Sequence, residues 1–377
     1  MRKLALLLGS LLVVASASAK EVVPAPVVVE EAPVQVIEKE VIVYRDKEVG
    51  FRPNGYVDLQ YRWYGETEGQ EESFDTREDV TEGNGNWNGN NNYSRIQLQG
   101  KINMTEKQSL EYRIRNYNST STHDNGKDGT DTRLRYFYNH GNLGDSKVNL
   151  TSRVHYRDRD DLSGAQEVEY QARFNFAEYM FNNDFIKTTN FVVAPKYKYV
   201  WEASNDDDYD NRLGFDIASF HELPYGFSFE LNVYADQHFY GKDQETGANS
   251  KTDDNFGVDV EAYLYNTTNL YSNGKLNIDF YFEGGFDPYS WNSENVLKRE
   301  YRTNNFDKKS EPVKVSYEDS KYKLYAWPQI ITSYNATDSF KAYVSLGAEY
   351  ANGYRYGSDA QDWRWQPVAV VGFRTTF

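Results

Sequence analysis

From Asn54 to the carboxyl end, the sequence repeats one pattern: short segments in which apolar and polar residues alternate with period two. The last fifteen residues, WRWQPVAVVGFRTTF, show it most fully. Trp363, Trp365, Pro367, Ala369, Val371, Phe373, Thr375 and Phe377 share one parity, and Arg364, Gln366, Val368, Val370, Gly372, Arg374 and Thr376 share the other. Successive side chains of a strand point to opposite faces. One face is therefore apolar with aromatic residues at both ends, and the other carries two arginines. Such a strand is long enough to cross a bilayer. An apolar band between aromatic girdles, over a polar interior, is the pattern of a transmembrane β-barrel strand. The segment is expected to close a barrel by pairing with residues 54–64.

Thirteen earlier segments carry the same alternation. The first interleaves Val57, Leu59, Tyr61 and Trp63 with Asp58, Gln60 and Arg62, and the second interleaves Ile96, Leu98 and Ile102 with Arg95, Gln97, Gln99 and Lys101. The others are 110–117, 133–139, 147–157, 168–176, 192–201, 213–219, 227–236, 256–265, 276–286, 322–331 and 340–350. The period is 2, not 3.6, so the reading is all-β: an antiparallel up-and-down barrel of about fourteen strands. A fold-over inside 287–320 would raise the number to sixteen. Connections are short at 104–109, 141–146, 221–226, 266–274 and 335–339, and somewhat longer at 178–190. They are long and polar at 65–92, 237–255 and 287–320, matching short periplasmic turns opposite longer outer loops. By length, 65–92 and 287–320 are the segments expected to fold inward and narrow the lumen.

Ahead of the barrel, residues 1–19 combine Arg2 and Lys3, an apolar run and the small residues Ala17, Ser18 and Ala19, the layout of a secretory signal cleaved between Ala19 and Lys20. Residues 20–50 mix valine, proline and charge and read as a periplasmic segment, either a flexible linker or a contact to peptidoglycan. The barrel occupies 51–377. The absence of cysteine fits export without disulfides. A chain with 32 Tyr, 21 Phe and 7 Trp in a strongly polar composition suits an external apolar belt better than an aliphatic core. A net charge of −16 argues against a nucleic-acid partner.

Collecting the inward parity separates the charges. The first seven strands supply Arg62, Arg95, Lys101, Arg113, Arg115, Arg133, Arg135, Lys147, Arg153, Arg157, Arg173, Lys196 and Lys198, against the acids Asp58, Glu111, Glu167 and Glu169. Strands eight to eleven supply Asp216, Glu230, Asp236, Asp259, Glu261, Asp279 and Glu283. In a closed cylinder the two arcs face each other across water, and such a transverse field orients dipolar solutes and tunes ion preference. Neighbouring strands carrying mostly arginine cannot neutralise one another by cross-strand pairing. Enzyme chemistry has no local support: the five histidines at 123, 140, 155, 221 and 238 lack metal-ligand spacing, and no thiolate is available. His155, between Arg153 and Arg157, reads as a wet wall residue. No catalytic residue, metal ligand or cofactor is expected.

Several stretches resemble the major outer-membrane porin of fusobacteria, the FomA family: KLALLLGSLLV, VIVYRDKEV, RPNGYVDLQYRWYGE, NMTEKQSLEYRIRN, GNLGDSKVNLTSRV, YKYVW and WRWQP before the final phenylalanine. These blocks run from the leader to Phe377. The resemblance implies a water-filled, voltage-sensitive general diffusion channel for ions and small hydrophilic solutes, assembled as a homotrimer in outer-membrane lipid. It also implies that Phe377 serves as an assembly signal at the periplasmic rim. The alternative from another class is an adhesin or receptor for which the barrel is only an anchor.

Overall fold

A computed structural model describes residues 50–68, 92–120, 128–160, 165–201, 209–246, 250–294, 296–303, 310–316, 324–352 and 363–377. Its strands are β1 (Asn54–Tyr64), β2 (Tyr93–Asn103), β3 (Gln108–Ser119), β4 (Gly129–Asn142), β5 (Asn149–Asp158), β6 (Gln166–Asn175), β7 (Lys187–Trp201) and β8 (Tyr209–Glu222). They continue with β9 (Phe227–Glu245), β10 (Lys251–Ser272), β11 (Leu276–Asn292), β12 (Leu297–Thr303), β13 (Ser310–Ser316), β14 (Leu324–Thr337), β15 (Phe340–Asn352) and β16 (Trp363–Thr376). All except β12 and β13 form one closed antiparallel barrel of 14 strands in up-and-down order. Closure leaves no unpaired edge, the condition a sheet must meet to sit in hydrocarbon.

Each of the alternating segments coincides, in most of its residues, with one barrel strand. Within 287–320, β12 and β13 do form a strand pair, but they pair only with each other while β11 pairs directly with β14, so the wall keeps fourteen strands and not sixteen. The closing strand pairs with β1 as the alternation requires, with Asp58 opposite Arg374 and Trp63 opposite Ala369. The seam ends in a reciprocal pair of backbone bonds: Gly55 donates to Phe377 at 3.0 Å and Phe377 donates to Gly55 at 3.1 Å.

Two expected connections are strand instead. Of 237–255, only 246–250 lies between β9 and β10, and of 266–274, only 273–274 lies outside β10. These strands run to 19, 22 and 17 residues. At about 3.3 Å per residue and roughly 40° tilt, β10 rises about 55 Å, twice the ~25 Å apolar band, so its ends stand in water. At 251–255 both faces are polar, and the alternation fades although the hydrogen-bond ladder continues. Lys147 likewise belongs to the β4–β5 turn, not to a strand, and meets Glu178 at 3.9 Å on the rim.

Both ends of the barrel sheet lie on the short-turn rim. The β8–β9 turn there uses consecutive left-handed residues, Tyr225 (φ 60°) and Gly226 (φ 75°), the type I′ signature whose twist matches the flanking strands. Residues 1–49 and most of 65–92 lie outside the described residues, so the readings placed on the leader, the 20–50 segment and that loop fall there too.

Candidate functional site: the interior wall of the barrel

Which face is inside follows from β16. Val371 is 51% exposed, whereas Val368 and Val370, of the other parity, are buried. Exposed apolar residues recur around the outer wall, including Ile96 on β2, Val154 on β5, Leu213 on β8, Ile330 on β14 and Leu346 on β15. Aromatic pairs bracket the belt at the seam: Tyr350 stacks on Trp363 and Trp365 (centroids 4.9 and 4.6 Å), and Phe340 stacks on Phe373 (5.8 Å). The eight residue steps from Trp365 to Phe373 climb about 20 Å on a tilted strand, close to the height of an outer-membrane apolar band. Among the described residues no helix is long and apolar enough to cross a membrane. The closed wall, external belt and girdles make this a transmembrane β-barrel of the outer-membrane type.

The interior divides into three sectors. The first, on β2 to β7, is basic. Arg113 and Arg157 both bond Asp131 on β4, at 3.3 and 2.7 Å. Arg153 meets Glu169 at 2.5 Å, Lys198 meets the same carboxylate at 3.2 Å, and Arg159 meets Glu167 at 3.0 Å. Lys101 pairs with Glu111 at 3.2 Å. Arg115 donates through Nε to Gln97 at 2.8 Å, and Arg173 donates to Gln171 at 2.7 Å. Arg133 and Arg135 make no side-chain hydrogen bond or ion pair with a described residue.

Lys196 on β7 marks the border. It is buried and sits between Asp216 on β8 (2.6 Å) and Asp236 on β9 (2.8 Å), with Gln171 also donating to Asp216. Beyond it lies the acidic sector on β9 to β11, held by a different chemistry. Glu230 accepts from Tyr265 (3.0 Å) and Asn232 (2.7 Å), and Glu283 accepts from Tyr281 (3.0 Å) and Tyr325 (2.7 Å). Tyr234 donates to Glu261 at 2.9 Å, Ser290 to Asp259 at 2.5 Å, and Asn269 to Asp279 at 2.7 Å. Neutral donors order these carboxylates without cancelling their charge.

The third sector spans the seam, β14 to β16 and β1. Tyr64, Trp327, Val368 and Val370 form a buried apolar cluster, with Tyr93, Tyr325 and Tyr343 against it. Arg62 lies over Trp327, 4.8 Å from the ring centroid, and donates to Tyr64. Arg95 lies 5.6 Å from the Tyr117 centroid and bonds its hydroxyl. Gly372 lets the Tyr343 ring lie across the closing strand, where a Cβ would stand only 2.6 Å from it. The Tyr343 hydroxyl thereby reaches the fully buried Asp58 at 3.0 Å, which also takes Arg374 Nε at 3.0 Å and Gln60 at 3.3 Å.

The structure thus corrects the expectation that these strands cannot offset one another's arginines by cross-strand pairing: several arginines share a few deeply placed carboxylates. Asp131 is the main omission of the sequence reading, together with Asp210, which meets Arg212 at 2.7 Å and His238 at 2.9 Å. Both precede the first residue of the alternating segment assigned to their strand, and extending the parity back by a few residues would have found them. His155 is not wet but buried, 3.9 Å from Glu169. Among the described residues, no cluster of three or more His, Cys, Asp or Glu side chains could hold a metal ion.

No family model matches the chain, and no curated protein matches it. Solved structures do, at a distance. A bacterial polysaccharide outer-membrane secretin aligns with 86% of this chain and 97% of its own at 10% identity and a TM-score of 0.35. The outer-membrane channel DcaP of Acinetobacter baumannii aligns over 86% and 96% at 11% identity, TM-score 0.32. OmpF of Salmonella typhi, solved with daunomycin, aligns over 87% and 98% at 9% identity, TM-score 0.30. Likenesses this distant carry no weight for function, which rests on the wall itself.

Proposed function

We propose that this chain is an outer-membrane porin, a passive water-filled channel for ions and small hydrophilic solutes, of the kind its sequence resembles in fusobacteria. The observation that carries the reading is the interior: a closed barrel whose inward face is charged and segregated, arginine-rich on β3 to β6 and carboxylate-rich on β9 to β11. An anchor for an adhesin has no need of opposed ionic sectors, whereas a channel uses them to keep a hydrated path and to orient dipolar solutes. The pore-lining set is Arg62, Arg95, Lys101, Arg113, Arg115, Arg133, Arg135, Arg153, Arg157 and Arg173 facing Asp216, Glu230, Asp259, Glu261, Asp279 and Glu283. A homotrimer and voltage-dependent closure belong to the same proposal, on the resemblance alone.

Purified protein added to a planar bilayer tests it. Discrete ohmic steps at low voltage are expected. Their absence at saturating protein, with the barrel folded, would leave only the anchor reading.

A further inference from the structure

The basic sector is more than a collection of inward positive residues. Strand register sets Arg113 directly opposite Arg133, and Arg133 directly opposite Arg157, so three arginines of one row stand side by side across β3, β4 and β5. Like charges directly opposed on neighbouring strands repel. Asp131 relieves the two outer members, bonding Arg113 and Arg157. It does not bond the central one. The charges that act most on Arg133 are Arg135, Arg113, Arg115 and Arg157, all of its own sign. Next along β4, Arg135 faces Glu111 on one side and His155 on the other, and Arg153 adds its charge to it. The Nε atoms of Arg113, Arg135 and Arg153 are shielded from solvent and meet no acceptor among the described residues.

A wall that concentrates guanidinium forks this way leaves donors without an acceptor among the described residues. Guanidinium is matched in shape to planar or tetrahedral oxyanions, which take its donors two at a time. Chloride, a single monovalent atom, cannot match the fork oxygen for donor or bridge several arginines with a multivalent charge. We propose that Arg133, flanked by Arg113, Arg135 and Arg157, forms a saturable binding site for a multivalent oxyanion of the phosphate class inside the lumen. The proposal rests on the channel reading for its access route but not for its chemistry. A phosphate bridging Arg133 and its neighbours would supply the missing negative charge of the row. It would also slow chloride behind it, since an ion must leave its site before the next passes.

Two measurements separate the site from the channel. Equilibrium dialysis of inorganic phosphate against the detergent-purified full chain reads binding whether or not the barrel conducts. Saturable binding is expected, weakened about tenfold in Arg133→Gln, since one charge-assisted contact is worth roughly that factor. Arg133→Lys, which keeps the charge but loses the fork, is expected to fall between. In planar bilayers, phosphate is expected to reduce chloride current to a plateau in the wild type and to need about tenfold more for half-block in Arg133→Gln. Competition by glycerol phosphate would mark phosphomonoesters as ligands; no competition would restrict the site to the free ion. Non-saturable binding in the wild type, or equal binding in wild type and a folded Arg133→Gln, overturns the proposal. A protein that binds phosphate saturably yet never conducts would sink the channel reading and leave the site standing.

Discussion

Asp58 is where removing one atom group should most cleanly loosen the closing seam. Its carboxylate is fully buried and accepts three donors: Tyr343 from β15, Arg374 from β16 and Gln60 from its own strand. The Tyr343 bond spans the closing strand and so joins β15 to β1 directly. A hydrogen bond from a neutral donor contributes about 1 kcal/mol, and the Arg374 bond, charged on both sides, more in a buried setting. That second contribution is discounted to about 1 kcal/mol because the Arg374 side chain is 39% exposed. The Gln60 bond, at 3.3 Å, adds a few tenths. Asp58→Ala should therefore cost about 2 to 3 kcal/mol and Tyr343→Phe about 1, while Asp58→Asn, which keeps an acceptor, should cost about 1. The assay is urea unfolding of the barrel reconstituted in vesicles, followed by tryptophan fluorescence. In the Asp58→Ala, Tyr343→Phe double variant the losses should not add, leaving a coupling of about 1 kcal/mol. Additive losses, or an Asp58→Ala cost below about half a kcal/mol, would refute the account of the seam.

Gly372→Val should place its Cβ into the Tyr343 ring and against the Leu59 carbonyl, 2.9 Å away, and so destabilise the barrel while abolishing the Asp58–Tyr343 coupling in the same cycle. Lys196→Met strands Asp216 and Asp236 beside each other; a loss of about 3 to 5 kcal/mol in urea unfolding is expected. Adding Asp216→Asn and Asp236→Asn to that variant should restore most of it, and no restoration would mean that the lysine acts through packing alone. Tyr225→Gly should stabilise the β8–β9 turn, since a left-handed non-glycine residue costs roughly 1 kcal/mol; the same titration reads it.

The strand order and the closing pair were legible because hydrocarbon outside and water inside impose opposite chemistries on alternate residues. That signal weakens where the strand leaves the lipid, which is why 237–245 read as loop and the starts of β4 and β8, with Asp131 and Asp210, were missed. Parity names the face of a residue but not its neighbour. Val368 and Val370 were readable as inward, yet nothing in the alternation says that they meet Tyr64 and Trp327. The pairing of Tyr343 with Asp58 depends on shear between strands nearly three hundred positions apart, and on Gly372 lying between them. The arginine row is a middle case: each member was legible, and only the register shows that Arg113, Arg133 and Arg157 stand abreast.

The opposed sectors are tested most directly by reversal potentials in a salt gradient, measured on two variants against the wild type. Replacing Arg113, Arg115, Arg133 and Arg135 by glutamine should move the reversal potential toward cations. Replacing Glu230, Glu261 and Glu283 by glutamine should move it toward anions. Shifts of opposite sign are the result that a charge-divided lumen requires. Shifts of the same sign, or none in either folded variant, would contradict it.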